Sequence, residues 1–212
     1  MAKRKPITVF KESAPTTWHT ILSRSSEDSI SISEEVNKII ELTEDMCGFW
    51  STSRGWAPEE AADILTSARL DWHLSLTKHL KKCVRKPSDE LHDAHLILAW
   101  TTLGALVEGA MKLFLSIYFE DYKKSMAKTK HKRIKPDDLM FDKLRLFFKG
   151  EVWDVSVDRV DWNEWVEKKI QYRRNAIHAY KDRDIGNMDD FRSEVRIYLL
   201  FLSDIDSRVP YP

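Results

Sequence analysis

The sequence is short of the residues that build tight turns, with only 6 glycines and 7 prolines among 212 residues. A fold made of many short strands needs frequent turns, so this scarcity disfavours an all-β architecture. No segment shows a sustained alternation of apolar and polar residues, which is the pattern of a half-buried strand. We therefore expect an all-α fold.

Cysteine is also scarce. Cys47 and Cys83 are the two cysteines, and they are far apart with no CxxC spacing. Neither a disulfide framework nor a cysteine zinc site is expected, and this cysteine usage fits the reducing cytoplasm. The basic start, residues 1–13, has no apolar run behind it, so we predict no signal peptide.

Patterns that hold metals or cofactors are missing too. No glycine-rich phosphate loop occurs, and the histidines of the central region match no strong zinc pattern. We therefore predict that the protein uses no metal and no cofactor. The histidines considered are His73, His79, His92 and His95.

The chain has no excess of either charge, because 34 basic residues balance 34 acidic ones. A polyanion would therefore have to be bound by a local basic patch.

The most apolar run, residues 96–119, is interrupted by Glu108 and Lys112. A membrane-spanning helix needs about 20 nearly uninterrupted apolar residues, so we interpret this run as a buried helix and predict no membrane interaction.

Helical periodicity is present along most of the chain and indicates about five or six helices that form a bundle. One predicted helix lies between Pro58 and Pro87. A longer one, residues 89–122, is apolar around much of its circumference and should be central, with Gly104 allowing a neighbour to approach. We assign residues 1–32 to a loosely ordered arm and 33–88 to N-terminal helices packed on the core. The remaining residues, 89–212, form the main bundle.

One late helix carries an unusual set of polar residues in the segment Tyr172–Tyr180, YRRNAIHAY. At about 100° per residue, Arg173 falls on the apolar stripe, where a guanidinium is costly unless it is paired or lies at a cleft. Arg174 and His178 are four residues apart on an adjoining face. The residues predicted to share the apolar stripe with Arg173 are Val166, Ile170, Ile177 and Tyr180.

Two interpretations of this segment remain open from periodicity alone. In the first, Arg174 pairs with an acid on a neighbouring helix. Arg173 buries its aliphatic stem and extends its guanidinium to the surface, and His178 has no special role. In the second, the cations and the imidazole form a site, and His178 is the side chain there suited to titrate near neutral pH.

Arg173, His178 and Tyr180 form an R-x4-H-x-Y arrangement. It resembles the motif of the HEPN superfamily (higher eukaryotes and prokaryotes nucleotide-binding domains), whose core pattern is R-x4-6-H. The polar residue that often follows the family's arginine is replaced here by Arg174, with Asn175 one place later. The resemblance covers about residues 90–205, and it implies a HEPN-like four-helix core with the motif on a late helix.

The resemblance also implies a function. Many HEPN domains are metal-independent endoribonucleases that act as dimers, often as toxins or phage-defence components. By this resemblance His178 is the acid–base group and Arg173 the phosphate clamp, while Arg174, Asn175 and Tyr180 position the RNA, such as tRNA or mRNA. An antitoxin nucleotidyltransferase that modifies the tyrosine is an implied partner. The alternative is a non-catalytic HEPN-like helical module that binds a nucleotide, RNA or a protein.

Two further features have competing interpretations. The basic run of residues 123–135, including Lys130, Lys132 and Arg133, either contacts the RNA backbone or is a solvated loop. Glu108, inside the central apolar helix, is either a partner of Arg173 or a local ion pair of Lys112, four residues later.

Overall fold

The computed structural model describes residues 30–127, 134–154, 160–178 and 180–211. Within these ranges the chain folds into packed helices and contains no strand. The prediction of an all-α helical bundle is therefore confirmed. Most of the predicted N-terminal arm, residues 1–29, lies outside the described ranges.

Seven regular helices and one irregular helix make up the described part of the chain. The irregular helix, residues 162–178, carries the YRRNAIHAY segment and is called the motif helix below. Short 3₁₀ turns at Asp89–Leu91 and Pro136–Asp138 precede α4 and α6. The regular helices are α1 Ile32–Ser51, α2 Glu59–Ser67, α3 Leu70–Cys83, α4 His92–Ile117, α5 Phe119–Ala127, α6 Phe141–Glu151 and α7 Met188–Arg208.

Two predicted helices are each divided in the structure. The helix expected between Pro58 and Pro87 breaks at Ala68, whose extended backbone (φ −66°, ψ 139°) separates α2 from α3. The long helix expected over residues 89–122 ends at Ile117, and α5 starts after Tyr118. Neither break is marked by glycine or proline, which is why periodicity alone did not predict it.

Helix α4 occupies the centre of the bundle and packs against α2, α3, α6, α7 and the motif helix. Its side chains Trp100, Leu103 and Phe114 are completely buried. One continuous hydrophobic core runs from Val36 in α1 to Val209 after α7. The motif helix therefore packs against the central helix of the hydrophobic core.

The segment Asp89–Ile117, which includes α4, is long and apolar enough to cross a membrane by length and composition. In the structure 61% of its apolar window is buried inside the protein. This burial agrees with the interpretation of the segment as the core helix of the bundle.

His73 in α3 is a titratable group placed against this central helix. A Cβ at Gly109 of α4 would overlap the His73 ring, so the imidazole fits only because that residue is glycine. Burial lowers the pKa of His73 from 6.5 to about 4. The histidine is thus neutral in the folded protein at pH 7.

This burial predicts a pH dependence of stability. Between pH 6.5 and pH 4 the unfolded chain binds a proton at His73 that the folded chain does not, so stability falls as the pH falls through this window. The total loss is about 3 kcal/mol. Urea denaturation at pH 7 and pH 4.5 should show a smaller loss in His73→Gln than in wild type. An identical pH dependence of the two proteins would contradict the prediction.

Candidate functional site

The motif helix changes its winding three times. It begins with an α-helical turn, Trp162–Glu164, continues as a π-helix, Trp165–Gln171, and returns to α-helix at Tyr172–Arg174. It ends as a 3₁₀ turn, Asn175–His178. π-Helical segments are rare and frequently occur at functional sites. A helical wheel drawn at about 100° per residue therefore does not describe the directions of the motif side chains.

The predicted apolar stripe holds only in its first half. Val166 and Ile170 are fully buried and Arg173 is buried, but Ile177 is 42% exposed and Tyr180 is fully exposed. The prediction that Ile177 and Tyr180 continue the stripe is wrong. For Ile177 the reason is the tighter 3₁₀ winding after Arg174, with 3.0 residues per turn, which rotates its side chain away from the core, while Tyr180 lies beyond the end of this turn.

Arg173 is buried between the motif helix, α4 and the start of α7. Only 9% of its surface is exposed, and the centre of its guanidinium lies 4.7 Å from the centroid of the Trp100 ring. Its Nη1 is buried and has no hydrogen-bond partner among the described residues. A cation–π contact of this kind compensates part of the cost of burying the charge.

The loop before α7 surrounds the other side of this guanidinium. A Cβ at Gly186 would lie 3.0 Å from Nη2 of Arg173 and 2.5 Å from Oδ2 of Asp190, so both side chains flank the same glycine. Gly186 has φ +64°, which favours glycine. The indole of Trp100 donates a hydrogen bond of 2.8 Å to the Ile185 carbonyl. Arg173 thus lies between Trp100 of α4 and this loop.

Arg174 has a different environment. Its Nη1 donates to Glu108 of α4 at 2.5 Å, and the same carboxylate accepts an ion pair from Lys112 at 2.9 Å. Its guanidinium also lies 5.0 Å from the Phe141 ring centroid. The side chain of Arg174 is 29% exposed. Glu108 therefore contacts Arg174 and Lys112, and it forms no ion pair with Arg173.

Gly104 explains how Arg174 reaches Glu108. A Cβ at Gly104 would lie between 2.7 and 2.9 Å from the Cβ, Cγ and Cδ atoms of Arg174. The stem of Arg174 therefore crosses α4 at the one glycine that leaves it room. The sequence signal was this glycine within an apolar helix, although its partner was not predictable.

The remaining motif residues lie at or near the surface. Asn175 is half-buried and His178 is exposed. Because they are three residues apart in a 3₁₀ turn, their side chains project from the same side. Tyr180 is fully exposed, and the guanidinium of Arg183 lies 5.3 Å from the Tyr172 ring centroid.

The structure therefore leaves some predicted site residues accessible to solvent and buries another. Arg174, Asn175 and His178 all reach the surface at the end of the motif helix. Arg173 faces the interior, so within one chain it and His178 lie in different environments. The sequence analysis singled out neither Trp100 nor Asp190.

The predicted RNA-contacting residues Lys130, Lys132 and Arg133 lie outside the described residues. At the described start of this basic run, Lys123 pairs with Glu60 and Glu120. Lys124 pairs with Asp121 at 3.0 Å.

Potential metal ligands do not cluster in the described part of the chain, where no group of three or more His, Cys, Asp or Glu side chains is placed to hold an ion.

Comparison with known proteins found no family model, no curated protein and no solved structure that matches this chain.

Proposed function

We propose that this protein is a cytoplasmic, metal-independent endoribonuclease of the HEPN type that acts as a toxin or phage-defence component on RNA such as tRNA or mRNA. The observation that supports the proposal is that Arg174, Asn175 and His178, close in sequence at the end of the motif helix, are all accessible to solvent. These three residues are called the motif surface below. They combine a fixed cation, an amide and an imidazole within five residues. These groups match what cleavage of RNA by its own 2′-hydroxyl requires.

His178 is the acid–base group of the proposed reaction. The 2′-oxygen attacks the adjacent phosphorus and loses its proton, while the 5′-oxygen leaves and gains one. A neutral imidazole accepts the first proton and an imidazolium donates the second, so one histidine side chain can serve both steps. The exposure of His178 allows a ribose to reach it. The products carry 2′,3′-cyclic phosphate and 5′-hydroxyl ends.

The environments of the two arginines lead us to assign the phosphate to Arg174, whereas the sequence motif assigns it to Arg173. The Arg173 guanidinium is enclosed by Trp100 and the Gly186 loop. Arg174 is partly exposed, and Glu108 contacts only its Nη1. The other N–H groups of the guanidinium fork remain for a phosphate, whose developing charge they stabilise. With this assignment Asn175 directly follows the functional arginine.

The proposed active unit is a homodimer. One chain offers a single imidazole on an open surface, and a surface alone does not exclude water or enclose a scissile phosphate. A second copy of the motif helix across a two-fold axis would form the facing wall. The exposed side chains of Ile177 and Tyr172, each 42% exposed, supply apolar surface beside the motif for such a contact.

Tyr180 is proposed as a second functional group on the same surface. Its side chain is fully exposed, so an antitoxin enzyme such as a nucleotidyltransferase has access to the phenol. Attaching a nucleotide there would place negative phosphates beside His178 and Arg174, where they would repel RNA.

RNA cleavage in the presence of EDTA tests the proposal. Purified protein is incubated with total tRNA and with an mRNA transcript, and the product ends are identified chemically. We expect cleavage that EDTA does not prevent and cyclic phosphate ends, because the reaction uses the 2′-hydroxyl and no metal. Sedimentation equilibrium of the same sample should show a dimer.

Two outcomes would contradict the proposal. Cleavage that EDTA abolishes would point to metal chemistry instead. RNA binding without any cleavage, at protein concentrations where the dimer forms, would favour the alternative of a non-catalytic binding module.

A further inference from the structure

A cavity of about 400 Å³ opens between α2, α3 and the middle of α4, away from the exposed motif surface. Its volume lies within the range of roughly 300–1,000 Å³ that is usual for small-molecule sites. Most of its wall is apolar and includes Ile64, Leu65, Leu70 and Leu113. Leu65 and Leu70 also belong to the hydrophobic core, so the cavity borders on the core.

Few polar groups face this apolar space. The ring nitrogens of His73 form no hydrogen bond with any described residue, and burial keeps the imidazole neutral by lowering its pKa to about 4. Lys112 donates a hydrogen bond of 3.0 Å to the Asp137 carbonyl and pairs with Glu108 at 2.9 Å. An ammonium has three N–H donors, so one donor remains.

The mouth of the cavity carries exposed apolar side chains. Trp72 is 60% exposed and Leu76 is 38% exposed. The guanidinium of Arg69 lies 3.9 Å from the centroid of the Trp72 ring, so a cation and an aromatic ring are stacked at the entrance. Exposed apolar groups beside a cavity are typical of a ligand site.

We propose that this cavity binds a small aromatic molecule carrying one negative charge. The apolar wall and Trp72 would contact the aromatic ring of the ligand, and Lys112 and Arg69 would bind its negatively charged group. Among the described residues, the charged groups that line the cavity are Arg69, Lys112 and Asp137. Arg69 pairs with Asp71 at 2.6 Å and Lys112 pairs with Glu108 at 2.9 Å, so an anion would bind through the N–H groups that these pairs leave. His73, as a neutral imidazole, offers a hydrogen bond to a polar substituent of the ring.

The cavity is connected to the motif surface by two ion pairs. Lys112 lines the cavity and contacts Glu108, and Glu108 holds Arg174. An anion that contacts Lys112 competes with Glu108 for the same ammonium. The binding itself is independent of the proposed ribonuclease function, whereas any effect of the ligand on RNA cleavage rests on it.

Calorimetric titration of the full chain with 2-naphthoate tests the proposal, with 2-naphthalenemethanol as the neutral analogue. We expect saturable 1:1 binding of the carboxylate and about tenfold weaker binding of the alcohol, since the charge-assisted contact is lost. Trp72→Ala should weaken naphthoate binding by about tenfold, since the aromatic wall is removed. Because Trp72 is exposed, this variant should fold normally.

Trp56→Ala is the matched control, because Trp56 is also an exposed tryptophan but does not line the cavity. It should bind naphthoate like wild type. Lys112→Met should weaken binding of the carboxylate and leave that of the alcohol unchanged.

Three results would overturn the proposal: no saturable binding at millimolar naphthoate, equal affinity of wild type and Trp72→Ala, or equal affinity for the carboxylate and the alcohol. Naphthoate binding by a protein that cleaves no RNA would contradict the proposed ribonuclease function but support the proposed ligand site.

Discussion

Arg174→Met is expected to slow RNA cleavage by about a thousandfold, whereas Arg173→Met is expected to slow it less than about tenfold. The two residues are neighbours of the same type, so each variant is the control for the other. Arg174 is partly exposed with free N–H groups, while the Arg173 guanidinium is enclosed by Trp100 and the Gly186 loop. We therefore expect Arg174, and not Arg173, to contact the phosphate.

Single-turnover cleavage rates, measured with enzyme in excess over RNA, decide this prediction. His178→Ala serves as the reference for loss of the acid–base group and should lower the rate by about a hundredfold or more. Thermal melting of all three variants shows whether they remain folded. A folded but inactive Arg173→Met variant, together with an active Arg174→Met variant, would show that Arg173 contacts the phosphate, as the R-x4-H spacing implies.

The all-α fold was predictable because its signals are local. Scarce glycine and proline, absent alternation and strong helical periodicity each follow from neighbours in the sequence. The division at Ala68 was not predictable, because a residue with good helix propensity takes an extended backbone there. Helices α2 and α3 both pack against α4 on either side of this break, and no local sequence pattern contains such packing.

The candidate site was predictable in its composition but not in its geometry. The sequence pointed to Arg173, Arg174 and His178, and it proposed two partners for Glu108. The structure shows the local pair with Lys112 and, in addition, a pair with Arg174. The wheel failed because it assumes uniform winding, while the helix passes from π to α to 3₁₀ within this region. Long-range packing determines such changes of winding, so they cannot be seen in a short motif.

Trp100→Ala is expected to lower the free energy of unfolding by about 3–5 kcal/mol. Trp100 is completely buried in α4, where its ring packs edge-to-face against Phe191 at 5.1 Å between centroids. Its removal creates a cavity, leaves the Ile185 carbonyl without its indole donor, and exposes the Arg173 guanidinium to an empty space. Urea denaturation followed by circular dichroism measures the loss.

Trp100→Phe is the matched variant, because it keeps a ring under Arg173 but loses the indole N–H. Its loss should be close to that of one hydrogen bond plus a small cavity, about 1–2 kcal/mol. A double-mutant cycle with Trp100→Leu and Arg173→Met isolates the cation–π contact, which should contribute about 1 kcal/mol. A loss below about 1 kcal/mol in Trp100→Ala would contradict this role of Trp100.

The same variants connect stability to the proposed chemistry. If Arg173 fastens the motif helix through Trp100, then Trp100→Phe should retain most of the RNA cleavage rate, because Arg174, Asn175 and His178 keep their positions. If Arg173 contacts the phosphate instead, a small displacement of its guanidinium would slow the reaction strongly, since proximity and orientation carry much of the rate. The ratio of the cleavage rates of Trp100→Phe and wild type therefore separates a structural role of Arg173 from a catalytic one.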